Sequence, residues 1–183
     1  TGLFSSPRFA ADYLALARYL QVQPEGRIVW VPQKPPLGYS SPDHLSTDAV
    51  TLTSKRPFAV GIVGSYDTLN FLREATYSGQ LLQSAGVKYL AFSPSDPLRD
   101  SQKPEDLAYK KIFPAQIQSQ PWIRARIDFG EITLLELKDP QPLFYLADKT
   151  EFVVGSDNIY PSVNLSKTAL IFADEYPGLL RRW

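Results

Sequence analysis

The sequence has no cysteine, no methionine and a single histidine, His44. Without cysteine there is no disulfide, no thiolate nucleophile and no cysteine-ligated zinc. With one histidine besides, a histidine-rich metal site is excluded as well. The cellular redox compartment cannot be read from a chain without thiols, and an exported protein is as compatible as a cytoplasmic one. The missing methionine leads to the expectation that Thr1 is not a native start. The expectation is therefore a processed chain or, better, a piece excised from a longer one. No apolar run approaches the ~20 residues that cross a bilayer. If the parent is a membrane protein, its spans have been cut away.

An excess of either charge is lacking too. Lys+Arg and Asp+Glu number 19 each. This balance argues against nucleic acid as the main partner, because that binding rests on basic residues neutralising phosphates. No basic run exceeds two residues, as at Arg181-Arg182, too short for a polybasic membrane patch.

What is present suits a packed core. Apolar residues are 44% of the 183 and aromatics 13%, enough for one domain, or one domain with an appended subdomain. The 16 prolines cluster at 32–36, 94–104, 114–121 and 140–142, and these clusters read as loops between patterned segments. There is no internal repeat and no low-complexity tract.

Along the chain, "SSPRFAADYLALARYLQ" reads as a helix with Ser6 as N-cap and Pro7 in the first turn. Tyr13, Leu16, Ala17 and Leu20 form its apolar stripe. "RIVWVP" reads as a strand covered on both faces. Residues 33–55 read as a long irregular loop holding "AVTLT" as an edge strand. "PFAVGIVGS" reads as a strand breaking at Gly64, with Ser65 capping a helix over 66–85. Gly86 ends that helix with positive φ, and "VKYLAF" follows as a third strand. Strand-helix-strand order predicts parallel pairing. "PEDLAYKKIF" reads as a short helix. "WIRARIDFGEITLLELKD" reads as an antiparallel hairpin turning at Gly130, with Ile123, Ala125 and Ile127 on one buried face. "PLFYLA", "EFVVG" and "TALIFA" read as further strands, and "DEYPGLLRRW" as a terminal turn or helix. The predicted class is α/β. A small parallel or mixed sheet flanked by helices (1–120) is followed by an antiparallel β-rich part (121–183) packed on it, the two forming one compact domain.

Signals for chemistry are few. His44 follows Asp43 among Ser40, Ser41 and Ser46, but a catalytic triad needs groups that converge in space, so His44 reads as a loop residue. "GIVGS" (61–65) lacks the endings of the phosphate-binding glycine motifs and reads as a simple turn. Asp128, Glu131, Glu136 and Asp139 are candidate carboxylate pairs for glycoside chemistry, yet they lie around a hairpin whose solvent face must be polar anyway. No Asp-x-Asp occurs. Asn164-Leu165-Ser166 fits a glycosylation sequon. Trp30, Trp122, Tyr39 and Tyr145 are candidates for stacking on sugars, with Trp30 reading as core and Tyr39 as loop. In open α/β sheets ligands sit beyond the carboxyl ends of the strands. That rule selects Gln33, Lys34, Ser65, Ser93 and Asp96, with Tyr39 and His44 overhanging the same edge. No cofactor and no metal are expected.

The order of the pieces resembles a known group. "PRFAADYLALARYL" leads to "GRIVWVPQ", then come "SAGVKYLAF", "IDFGEITLLELKDPQPLFYL" and "EFVVGS". This is similar to the extracytoplasmic soluble region of large bacterial polytopic proteins of the GT-C glycosyltransferase-like group, including YfhO-type and arabinofuranosyltransferase-like proteins. Arg27 to Pro32 matches the "grvl-lP" strand, Ala85 to Phe92 the "lGvkYvv" element, Phe129 to Leu137 the "fg-v-lyel" hairpin, and Phe152 to Gly155 the "vvG" strand. The resemblance implies a parent that transfers a sugar from a polyprenyl-phosphate donor on the outer side of a bacterial membrane. The group's catalytic acid lies in the membrane portion and has no counterpart here. This piece would then be a non-catalytic accessory domain, binding acceptor glycan or a partner in cell-envelope polysaccharide assembly. A stand-alone soluble α/β enzyme (a hydrolase or nucleotide-sugar enzyme) and a protein-interaction module remain the alternatives.

Overall fold

The computed structural model describes residues 10–54, 56, 58, 64–94, 101–155 and 157–175. Its elements, in chain order, are α1 (Ala10–Leu20), β1 (Arg27–Val31), β2 (Ser46–Asp48), α2 (Ala49–Thr53), α3 (Gly64–Glu74), α4 (Ser78–Ser84), β3 (Val87–Phe92), α5 (Pro104–Gln118), β4 (Ile123–Phe129), β5 (Ile132–Leu137), β6 (Lys149–Val153) and β7 (Thr168–Phe172). A 3₁₀ turn covers Asp157–Ser162. The fold is mixed α/β. Five strands form one sheet in the order β2-β1-β3-β5-β4, and β6 pairs with β7 in a second, smaller sheet.

The main sheet is parallel across β2, β1 and β3, and antiparallel from β3 through β5 to β4. Both its faces are covered. On one side Leu16 and Leu20, a turn apart on α1, pack with Ile28, Trp30, Tyr89, Ala91, Ile132 and Leu134. On the other side Val29, Val31, Leu90, Phe92, Leu135 and Leu137 meet α3, α4 and α5 through Leu72, Leu81 and Phe113. This sandwiching explains why "RIVWVP" is almost wholly apolar: Ile28 and Trp30 face one layer, Val29 and Val31 the other. Full burial of each such side chain is worth roughly 1.5–3 kcal/mol.

The hairpin expected at 123–137 is present, with Gly130 at φ +60° in the turn. Its faces differ from the simple alternation. The β4–β5 register shifts between Ile123 and Ala125, a bulge at Arg124. Ile123 therefore joins the helix-covered layer, while Ile127 and Phe129 pack on the α1 side. A second irregularity, between Arg27 and Ile28 opposite Lys88, does the same for Val87.

Several local readings change. "AVTLT" is the helix α2 rather than a strand, because the Asp48 carboxylate accepts from the Thr51 N–H at 2.6 Å and caps it. The edge strand is the three residues before it. The helix over 66–85 is two helices, broken at 75–77, where the Ser78 hydroxyl donates to the Leu72 carbonyl at 3.2 Å. Its first piece begins at Gly64, so Ser65 lies in the first turn and not at the cap. Pro114 lies inside α5, which runs well past Phe113, so that proline does not mark a loop. Residues 142–147 form no strand; Phe144 and Leu146 are 93% and 95% exposed. β6 and β7 pair parallel, so antiparallel pairing in the second half is confined to the hairpin and β3. Ser6, Pro7, the strand expected before Gly64 and the terminal "YPGLLRRW" lie outside the described residues.

Gly86 has φ +67° at the end of α4, as the helix-to-strand junction requires. Gly79 serves another need: a Cβ there would collide with the Trp122 indole, which packs directly on the α4 backbone. No helix among the described residues is long and apolar enough to cross a membrane.

Candidate functional site

The expected site at the carboxyl edge is only partly assembled. Val31 and Phe92 are register partners, so Gln33 and Lys34 after β1 lie on the same edge as Ser93 after β3. α2 begins on this edge too, its Val50 N–H donating to the Pro32 carbonyl at 3.3 Å. Ser65 lies in α3 with its side chain outside the described residues, and Asp96 lies outside them altogether.

Tyr39 and His44 do not overhang that edge. β1 and β2 are parallel, so the chain between them must cross back to the amino edge before β2 begins. Asp43 and Leu45 are already aligned with the start of β1, accepting from the Gly26 and Ile28 N–H groups at 3.0 and 2.8 Å. His44 is buried at that amino edge, 2% exposed, its Nε2 donating to the Pro24 carbonyl at 3.1 Å. Tyr39 lies half-buried on the α1 layer, its ring centroid 6.2 Å from that of His44.

The other candidates are placed as follows. Trp30 is fully buried and donates through Nε1 to the Ser46 hydroxyl at 3.0 Å. Trp122 is buried against α4. Tyr145 remains 37% exposed, its hydroxyl donating to the Leu165 carbonyl at 3.2 Å. The hairpin carboxylates are engaged by neighbours. Asp128 accepts from Arg126 at 3.0 Å and from the Thr133 hydroxyl at 2.8 Å. Glu136 and Asp139 both approach Arg124 at 3.4 Å. Among the described residues no group of three or more metal-ligating side chains is gathered.

Three clefts lie elsewhere, and none of the three is lined by Gln33, Lys34, Tyr39, His44 or Ser93. The first, about 550 Å³, lies between α4 and the segments at 139–141 and 161–166. Gln80 and Gln83, three apart and so on one face of α4, supply two side-chain amides; Gln141 and Asn164 supply two more. Hydrogen bonds to backbone carbonyls tie the walls together. Gln80 Nε2 donates to the Val163 carbonyl, Gln83 Nε2 to the Lys138 carbonyl at 2.6 Å, and the Gln141 N–H to the Gln83 carbonyl at 2.9 Å. Asn164 Oδ1 accepts from the Ser166 N–H at 3.1 Å and hydroxyl at 2.6 Å, so the sequon forms a closed turn on this wall. The lining has one carboxylate, Asp139, and no cation.

The second cleft, about 420 Å³, lies between α4 and β7 and shares Ser84 with the first. Its lining is mostly aromatic and aliphatic, with Arg56 and Glu175 at the rim. The third, about 290 Å³, lies at the amino edge and is lined by Glu25, Lys88 and Arg124 among others. Burial pushes the Lys88 ammonium pKa down, against the opposing pull of Glu136.

The sequence reading passed over the amides because glutamines on a helix next to loops carry no motif. The spacing of Gln80 and Gln83 was the only local signal. Their meeting with Gln141 and Asn164 is a product of the tertiary fold. No protein-family model, no curated protein and no solved structure matches this chain.

Proposed function

We propose that this chain is a non-catalytic, extracytoplasmic accessory domain of a membrane glycosyltransferase-like protein, and that it binds glycan in the amide-lined cleft beside α4. The observation that carries the reading is the chemistry of that lining. Four side-chain amides, three serine hydroxyls (Ser84, Ser162, Ser166) and one carboxylate offer donors and acceptors in near-neutral balance. A neutral, polyhydroxylated ligand needs both kinds of partner at once. A phosphate or nucleic acid needs cations, and this wall has none. The engagement of Asp128, Glu136 and Asp139 by arginines supports a binding role over acid–base chemistry.

The test is a ¹⁵N NMR titration with neutral oligosaccharides such as maltotriose, a mannotriose and an arabinotriose. The side-chain amide signals of Gln83, Gln141 and Asn164 are expected to move. Gln83→Ala is expected to weaken binding about tenfold, the loss of a hydrogen bond to a buried ligand group. Shifts at Gln33, Lys34 and Ser93 instead would move the site to the carboxyl edge. No shift anywhere would remove the glycan reading. Reading the parent gene tests the membrane part independently: it should encode several apolar segments of ~20 residues.

A second reading, a protein-interaction module, has its own support. Phe152 and Val154 are 64% and 79% exposed on or next to β6, a strand paired on one side only among the described residues. Shifts confined to the strands would favour it.

A further inference from the structure

The cleft between α4 and β7 is lined by a residue whose polar group no described residue uses. Along β7, Thr168 and Phe172 face inward and Ala169 faces out. Thr168 is 3% exposed, and its hydroxyl has no hydrogen-bond partner among the described residues. A buried hydroxyl without a partner is costly, and native structures keep few of them. Thr168 lines an open cleft of about 420 Å³, within the range of small-molecule sites.

We propose that this cleft is a second ligand site and takes one uncharged, hydroxyl-bearing ring: a single sugar unit. The Thr168 hydroxyl meets a hydroxyl or ring oxygen of the ligand. Tyr145, tied by its hydroxyl to the Leu165 carbonyl, lines the same cleft and supplies an aromatic ring on which a sugar can stack. Charge at the rim selects against ions. Arg56 lies over the Phe172 ring at 4.2 Å and is already held by Asp174 at 2.9 Å and Glu175 at 3.2 Å. An anion would have to compete with two carboxylates for that guanidinium, and a cation would find the face of Phe172 taken. A wholly apolar ligand would leave Thr168 as unsatisfied as before. The site shares no side chain but Ser84 with the amide cleft, so either can fail alone.

The probes are the methyl pyranosides of glucose, galactose and mannose, read by saturation-transfer NMR on the full chain. At least one is expected to bind, and Thr168→Val to weaken it about tenfold. The same variant is expected to keep or raise the thermal midpoint, because it removes a polar group that bonds nothing among the described residues. Tyr145→Ala, at the lip and away from the core, should weaken binding as well. Failure of all three glycosides to bind, or equal binding by Thr168→Val, overturns the proposal. So does a fall of several degrees in the midpoint of that variant, which would reveal a structural partner for the hydroxyl. A glycoside signal lost in Gln83→Ala but kept in Thr168→Val belongs to the amide cleft and also overturns it.

Discussion

Tyr89 stands at the centre of the α1 layer, fully buried, with its hydroxyl beside that of Tyr19 but outside good hydrogen-bond geometry. Burial first, then the neighbouring Tyr19 and Glu136, push its phenol well above the usual 10.0. Tyr19 is raised as well, by burial and by Glu136. A raised folded-state pKa gives stability that is whole below the unfolded value and is lost as pH climbs past it toward the folded value. The unfolded chain gives up these protons first, so alkali favours unfolding. The thermal midpoint should therefore fall from about pH 10 upward, and Tyr89→Phe should flatten that fall. Melting curves across that range check it, and parallel curves for the two proteins would refute it. At this scale the sequence was informative about burial and poor about position. Trp30 as core and His44 as a loop residue could be read from their neighbours. That His44 lies at the amino edge could not, since it follows from β1 and β2 being parallel, which is a fact about pairing.

Short elements were the hardest to read, because one side-chain bond decides them. "AVTLT" has the β-branched residues of a strand, and Asp48 turns it into a helix by capping Thr51. Asp48→Ala should cost about 1 kcal/mol and Asp48→Asn much less, measured as the shift in urea midpoint at constant slope. Equal midpoints for all three proteins would mean that packing of Ala49 and Thr53 alone holds α2. The bulge at Arg124 was equally hidden: alternation in "IRARIDF" looks perfect, and one extra residue sends Ile123 to the opposite layer from Ile127. The long patterned segments were legible. β1, β3 and the hairpin follow from apolar runs and two glycines whose positive φ was foreseeable. The amide cleft was not, because its walls come from α4 and two loops more than fifty residues away in the chain.

For the whole molecule, the hairpin at 123–137 is hydrogen-bonded into the same sheet as β1 and β3, through four register pairs between β3 and β5. Sheet and core thus run across residue 120. Trp30 reports the α1 layer and Trp122 the helix-covered layer. Fluorescence and far-UV circular dichroism should accordingly trace one coincident unfolding transition. Two separated transitions would show that the β-rich part melts on its own. The order of the strands has a consequence for biosynthesis. β5 is the last strand of the main sheet to leave the ribosome, so all five can assemble before Lys149 emerges from it. The late-arriving pair β6–β7 then swings Val153 and Phe172 over the leucines of α4, like a shutter closed after the room is built.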